Sequence, residues 1–124
     1  MESSTPDSLV CPNGYYIYRS DRDLDKTFKV RGGGIAVLIK NEIKSKLLSR
    51  YSQIFEKLFI LIKCDDKNLT LCATYLPPYS NYSFYGSFLN DCELYQNLYN
   101  SYSIIIGDFN IRGYHYLNTE ENLL

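Results

Sequence analysis

The sequence predicts an α/β domain with a mixed, largely antiparallel sheet and a flanking helix. Short runs of β-forming residues are separated by turns rich in glycine, aspartate and asparagine, which is typical of strands. One stretch in the second half instead has apolar residues at steps of three and four, as an amphipathic helix does. The length of 124 residues, with 45% hydrophobic and 22% charged residues, fits a single packed domain.

The first elements along the chain are a flexible segment and two strands. Residues 1–14 mix Ser, Thr, Pro, Asp and Gly, as loops and frayed chain ends do. Residues 15–19 are rich in β-formers and predict a short strand. The all-apolar residues 35–39 follow Gly32-Gly33-Gly34, a pattern typical of a fully buried strand. Residues 41–52 fit a short helical turn or a loop.

A β-hairpin is predicted next. Residues 57–64 and 69–75 are two β-rich runs, and the tetrad Asp65-Asp66-Lys67-Asn68 between them favours a turn. Pro77-Pro78 then ends the second strand, because proline cannot donate a hydrogen bond to a strand ladder.

One helix and one more strand complete the predicted order. Residues 84–99 predict a helix whose apolar stripe comprises Phe84, Phe88, Cys92, Tyr95 and Tyr99, widened by Leu89, Leu94 and Leu98. Residues 103–107 have three isoleucines at their centre and predict a second buried strand, which ends in Gly107-Asp108-Phe109-Asn110. The order strand, strand, hairpin, helix, strand indicates central strands that are covered on both faces.

The residues best placed for chemistry are Asp108, Asn110 and Tyr75. Sites in sheet proteins are commonly built just past the carboxyl end of a strand, where Asp108 and Asn110 stand. A carboxylate there can bind a divalent cation or accept a proton from water, and a nearby amide can donate to a phosphate oxygen. An Asx turn explains the same two residues equally well. Tyr75 ends the hairpin's second strand, so its hydroxyl can reach the same edge, although many of the 13 tyrosines must serve packing.

Charge is unevenly distributed along the chain. Residues 26–63 contain nine basic and two acidic residues, a net charge of +7 within a chain whose total is −1. Such a segment can contact a polyanion, since lysine and arginine release counterions from phosphates. The candidate nucleic-acid-binding residues are Arg31, Lys40, Lys44 and Lys46. A solvated lysine face is the alternative, and charge alone favours it.

The sequence lacks the patterns that are typical of several other classes of function. The glycine triplet has no Lys-Ser or Lys-Thr after it and precedes a strand, which argues against a phosphate-binding loop. The cysteines lack zinc-site spacing, and Cys64, Cys72 and Cys92 lie in apolar patterns as small hydrophobes. His115, the single histidine, is expected to be a surface or packing residue. Neither a signal peptide nor a transmembrane segment is evident, so an intracellular protein without membrane partners, nuclear or cytoplasmic, is expected.

Taken together, four motifs give the sequence a family likeness. The motifs are Tyr18-Arg19-Ser20-Asp21-Arg22, Arg31-Gly32-Gly33-Gly34-Ile35-Ala36-Val37, Ala73-Thr74-Tyr75-Leu76-Pro77-Pro78 and Ile104-Ile105-Ile106-Gly107-Asp108-Phe109-Asn110. With these motifs the sequence resembles the endonuclease/exonuclease/phosphatase superfamily, and within it the endonuclease domain of non-LTR (LINE-type, jockey-like) retrotransposons.

The resemblance implies a fold, a reaction and roles for three residues. It implies part of a four-layer, DNase I-like α/β sandwich over residues 15–117 with a tail at 118–124, and hydrolysis of a DNA phosphodiester that depends on Mg²⁺ or Mn²⁺. In the family, the aspartate matching Asp108 lies at the metal and orients or deprotonates the attacking water. The asparagine matching Asn110 lies at the same metal site and contacts the scissile phosphate, and the tyrosine matching Tyr75 bonds a phosphate oxygen.

The family pattern also contains parts that would lie outside this sequence. A strand with an asparagine and a strand ending in a metal-ligating glutamate would precede Met1, and a further aspartate and an Asp-His pair would follow Leu124. The resemblance therefore implies a partial domain with no more than trace nuclease activity by itself, and with an open sheet edge prone to self-association. The alternative is a truncated, catalytically inactive retroelement remnant with at most nonspecific nucleic-acid binding.

Overall fold

The computed structural model describes residues 6–21, 34–52, 55–78 and 80–110. Within these ranges a two-stranded sheet and a four-stranded sheet are formed, and a long helix joins the last two strands. The elements are α1 (Asp7–Val10), β1 (Tyr15–Ser20), β2 (Ile35–Lys40), β3 (Ser45–Ser52), β4 (Glu56–Cys64), β5 (Lys67–Tyr75), α2 (Tyr82–Tyr99) and β6 (Tyr102–Asp108).

The strands pair mostly antiparallel. β1 pairs with β2, and the larger sheet has the order β3-β4-β5-β6. Every neighbouring pair is antiparallel except β5 and β6, which are parallel because α2 carries the chain back across the sheet. The predicted mixed α/β class is therefore confirmed, and the arrangement is consistent with a partial α/β sandwich.

Two apolar clusters hold three layers together. The first lies between the two sheets and is centred on Ile39, Leu58, Ile60 and Ala73. The second lies between the larger sheet and α2 and is centred on Phe59, Cys72, Phe88 and Cys92. Successive residues of β4 face opposite layers, which explains why this strand is apolar along its whole middle rather than alternating.

The predicted hairpin is confirmed as β4 and β5. Its turn is shorter than the tetrad that predicts it, because Lys67 already pairs with Cys64 and only Asp65 and Asp66 lie between the strands. Asp65 adopts φ 56, a left-handed conformation that aspartate tolerates better than most residues. The turn residues therefore predict the position of the hairpin correctly, but the second strand begins earlier than the sequence predicts.

Neither alternative for residues 41–52 is correct, because Ser45–Ser52 forms the edge strand β3. The pairing shifts between Leu47 and Ser49, so Leu48 is the extra residue of a β-bulge. Leu47 packs into the first cluster and Leu48 into the second. Ser49 follows Leu48 on the same side, where its hydroxyl bonds that of Tyr95 (2.9 Å). The bulge breaks the alternation of side chains by which a strand is recognised in a sequence.

The helix α2 confirms the predicted stripe but not its widening. Asn81 caps the first turn by accepting a hydrogen bond from the Phe84 backbone N–H (3.3 Å). Phe88 and Cys92 are buried, whereas the three leucines that should have widened the stripe are exposed: Leu89, Leu94 and Leu98. At about 100° per residue, these leucines lie roughly a quarter turn or more from the buried line. Among the described residues, no helix has both the length and the hydrophobicity needed to cross a bilayer.

The apolar strands β2 and β6 are less buried than predicted. In β2 only Ile39 is buried and Leu38 is 40% exposed, because the strand belongs to a thin two-stranded sheet. In β6 the three isoleucines are 45%, 45% and 55% exposed, since the strand lies at the sheet edge and pairs with β5 alone among the described strands. An apolar run indicates a strand but does not reveal its place in the sheet.

The four cysteines are free thiols in different surroundings. Cys72 and Cys92 are buried between β5 and α2, as predicted for small hydrophobes. A hydrogen bond with Cys92, together with burial, raises the pKa of Cys72, which keeps this thiol protonated. Cys64 is exposed at the end of β4, so the prediction that it packs as a core residue is wrong.

The segment before β1 contains one ordered contact. Asp7–Val10 forms a single helical turn within the part of the sequence predicted to be flexible. Asp7 lies 2.7 Å from the Arg19 guanidinium, which also pairs with Asp21. These ion pairs connect the segment to the end of β1.

Candidate functional site

Three polar side chains form a row across the larger sheet. Tyr75 pairs with Asp108 in the β5–β6 register, and Glu56 pairs with Tyr75 in the β4–β5 register. Paired residues project from the same face, here the face that Leu58 and Ala73 direct toward the smaller sheet. With strands about 4.8 Å apart, the row spans about 10 Å. The expected convergence of Tyr75 and Asp108 is therefore confirmed.

Backbone and side-chain hydrogen bonds hold the chain where β6 ends. The Asp108 carbonyl accepts from the Leu76 N–H (2.9 Å), and the Leu76 carbonyl accepts from Asn110 Nδ2 (2.8 Å). Asp108 Oδ1 accepts from the Asn110 backbone N–H (3.2 Å), and Asn110 has φ 45. The Asx turn is thus present, and it leaves the Asp108 residue exposed to solvent. We refer to Tyr75, Asp108 and Asn110 as the rim.

Glu56 is a buried charged residue that the sequence reasoning did not single out. It is 0% exposed, and its Oε1 accepts a hydrogen bond from the Gly34 backbone N–H (3.3 Å). Its carbonyl accepts from the Thr74 hydroxyl (2.8 Å). The sequence did contain a signal, because Glu56 occupies the same alternating position as the core residues Leu58 and Ile60. Glu56 therefore fixes the entry of β2 beside the rim.

A cleft of about 390 Å³ opens between the start of β2 and the ends of β5 and β6. Gly34 and Ile35 line one side, and Tyr75, Ile106 and Asp108 line the other. The cleft is mostly apolar, and its polar side chains lie at the end where the rim stands. Gly34, the last glycine of the triplet, is thus part of the wall of this cleft, while Gly32 and Gly33 lie outside the described residues.

The structure does not bring the predicted lysines to the rim. The Lys44 carbonyl accepts from the Lys63 N–H (2.9 Å), and Lys63 pairs with Asn68, seven residues before Tyr75 on β5. At about 3.3 Å per residue, this end of the sheet lies about 20 Å from the rim. Lys40 and Lys44 lie at that end, and Lys46, opposite Leu61, lies two residues nearer to the rim. All three side chains are exposed.

One arginine that the sequence reasoning did not select, Arg50, lies nearer the rim than these lysines. Arg50 is exposed on β3 and pairs with Leu58, two residues from Glu56. One of its guanidinium nitrogens donates to the Arg19 carbonyl (3.2 Å), which places it beside the smaller sheet. The remaining predicted binding residue, Arg31, lies outside the described residues, as does His115.

The residues present can supply part of a magnesium site. Within the described ranges, no three His, Cys, Asp or Glu side chains stand close enough together to hold a metal ion. Asp108 is the exposed carboxylate of the row, while the Glu56 carboxylate is buried against Gly34. Protein-bound Mg²⁺ commonly keeps several waters and takes only one or two carboxylates together with substrate phosphates. Asp108 fits that mode of binding and not a cage made entirely of protein ligands.

The fold and the site define a mixed α/β protein with an exposed carboxylate, a tyrosine and an amide at neighbouring strand ends. Comparison with models of known protein families finds no match for this chain, and comparison with curated proteins finds no significant match.

Proposed function

We propose that this chain is part of a divalent-metal-dependent phosphodiesterase that hydrolyses DNA, like the non-LTR retrotransposon endonucleases that its motifs resemble. The observation that supports the proposal is the placement of Asp108 beside Tyr75 at the ends of two parallel strands, with the Asp108 carboxylate exposed. Such strand ends are where α/β proteins commonly build their sites. A DNA substrate implies an intracellular place of action, nuclear or cytoplasmic.

Each rim residue has a chemical role in this proposal. The Asp108 carboxylate accepts a proton from the attacking water, which is a poor nucleophile by itself. The Tyr75 hydroxyl donates a hydrogen bond to a phosphate oxygen whose negative charge grows during attack. Asn110 Nδ2 has two N–H groups, so its bond to Leu76 leaves one for the phosphate.

The proposed cofactor is Mg²⁺ or Mn²⁺. Asp108 would hold it, together with the side-chain oxygen of Asn110. When bound, the cation neutralises negative charge on the phosphate. The chain's own contribution is to keep the carboxylate and amide in fixed positions. Two hydrogen bonds between Leu76 and the end of β6 do this, together with a third inside the Asx turn from the Asn110 N–H to Asp108.

The role of Asp108 can be tested with a variant that preserves the Asx turn. Asp108→Asn keeps an acceptor oxygen for the Asn110 N–H but removes the negative charge. With Mg²⁺ and supercoiled plasmid, we expect the chain to nick at a trace rate and Asp108→Asn to reduce that rate by about tenfold or more. Mn²⁺ binding, followed by electron paramagnetic resonance, should weaken in parallel.

The matched control is Asp66→Asn, which removes the same charge from the exposed β4–β5 turn. It should leave both nicking and Mn²⁺ binding unchanged. Nicking and Mn²⁺ binding that survive Asp108→Asn would contradict the proposed site. Robust nicking that Asp108→Asn abolishes would support the site but contradict the expectation of trace activity.

The second candidate function is nonspecific nucleic-acid binding by a catalytically inactive remnant. It is favoured by the position of the exposed lysines, which lie about 20 Å from the rim along the strands. A duplex with a rise of about 3.4 Å per base pair would need about six base pairs to contact both places. Binding at the lysines is therefore separable from chemistry at the rim.

The salt dependence of DNA binding tests whether the three lysines contact phosphates. If Lys40, Lys44 and Lys46 each neutralise one phosphate, replacing all three with alanine should reduce the slope of log K against log salt by about 2.7. Fluorescence anisotropy with a labelled duplex measures that slope. Lys67→Ala, which removes a lysine from above the Tyr102 ring, is the control and should change the slope little. A triple variant with the original slope would show that these lysines form only a solvated face.

A further inference from the structure

The two edges of the larger sheet differ in their protection against further pairing. The outer edge at β3 carries a bulge at Leu48 and the exposed charges of Lys46 and Arg50, which are features that discourage another strand. The edge at β6, whose sequence is YSIIIGD, has no bulge, and its single charge is Asp108 at the very end of the strand. Its three central isoleucines are about half exposed. An edge of this kind is a template for an added strand.

We propose that β6 pairs antiparallel with β6 of a second copy of this chain, about a two-fold axis at Ile105. The choice of occupant follows from the strand's own sequence, which is self-complementary about that residue. Ile105 would face its own counterpart, Ile104 would face Ile106, and Ser103 would face Gly107. No two like charges oppose each other, because Asp108 would face Tyr102.

In this register, the corresponding layers of the two copies lie on the same side of the joined sheet. Directly opposite residues share a face, so the smaller sheets of both copies lie on one side and both α2 helices on the other. Ile104 and Ile106 pack with their counterparts on the side of the smaller sheet, and the two Ile105 side chains meet on the helix side. The two four-stranded sheets become one eight-stranded sheet, whose remaining edges are the protected β3 strands. The assembly therefore closes as a dimer and does not continue as a fibre.

The dimer would also add a residue to the rim. Tyr102 of the second copy would stand opposite Asp108, at the spacing of a cross-strand pair. Its hydroxyl could then donate to the Asp108 carboxylate or to a phosphate bound there. That consequence rests on the proposed function, whereas the dimer itself does not.

Sedimentation of the full chain over a concentration series tests the dimer. We expect a monomer–dimer equilibrium, with Ile105→Lys raising the dissociation constant by about tenfold or more, because it buries a charge in the new strand pair. Leu98→Lys is the matched control, since Leu98 is an exposed apolar residue on α2 (66%) and away from the edge. A monomer at every concentration would overturn the proposal, as would a dimer indifferent to Ile105→Lys.

Cysteine cross-linking tests the register with a variant that needs no charge in the strand. In a background with the accessible thiols removed (Cys11→Ser, Cys64→Ser), Ile105→Cys should form an intermolecular disulfide on mild oxidation, because the opposed Cα atoms lie within disulfide reach. Tyr102→Cys should not, since it faces Asp108. Cross-linking at both positions would indicate parallel, in-register pairing and would overturn the antiparallel dimer. Cross-linking at neither would overturn it as well.

Discussion

Replacing Phe59 with alanine is expected to lower the free energy of unfolding by about 3–5 kcal/mol. Phe59 is 0% exposed in the centre of β4, and its ring lies 5.6 Å from Phe88 and 5.0 Å from Tyr95. It therefore joins the larger sheet to two side chains of α2 that lie about two helical turns apart. Removing the ring leaves a cavity that cannot close easily, because β4 is paired on both sides, with β3 and with β5.

Urea unfolding followed by far-ultraviolet circular dichroism, at one protein concentration, measures this loss. Leu94→Ala is the control, because Leu94 is an apolar residue of α2 that is 58% exposed. Leu94→Ala should change the free energy of unfolding by no more than about 0.5 kcal/mol, because alanine favours helix and little packing is lost. A loss below about 1 kcal/mol for Phe59→Ala would mean that α2 contributes little to the stability of the sheet.

Features of the fold that depend on residues close together in the sequence could be predicted. The hairpin is correctly placed because Asp65 and Asp66 form its turn, and α2 because Phe88 and Cys92 recur at helical spacing. Features that depend on distant pairing could not. The bulge at Leu48 is set by the register with β4. The exposure of β6 follows from its position at the edge of the described sheet.

The same division applies to the candidate site. Tyr75 and Asp108 each end a β-rich run, so their meeting required only that the two strands be parallel neighbours. The alternating position of Glu56 hints at burial, but its partner, the Gly34 N–H, is far away in the sequence and becomes visible only in the structure. Lys44 was selected by charge, which indicates a potential surface but gives no position relative to the rim.

The second large effect is expected from Gly107→Ala, which should lower the free energy of unfolding by about 3 kcal/mol or more. A Cβ at Gly107 would lie 2.0 Å from the Thr74 carbonyl oxygen, and the residue has φ +157. The obstacle is backbone of the adjacent strand, so no side-chain rotation can relieve it. Either β6 separates from β5 near this residue or the ladder shifts.

Gly86→Ala is the control for Gly107→Ala, because nothing lies within 4 Å of its added Cβ and the residue is inside α2, where alanine should stabilise by about 0.5–1 kcal/mol. Gly107 also precedes Asp108 directly, so the strain falls on the bonds that join Asp108 to Leu76 and Asn110. Hydrogen exchange of the Leu76 amide should therefore accelerate more in Gly107→Ala than that of β4 amides, whose ladder lies a strand further away. Uniform acceleration across the sheet would instead mean that β6 does not open independently, and that the rim is as stable as the core.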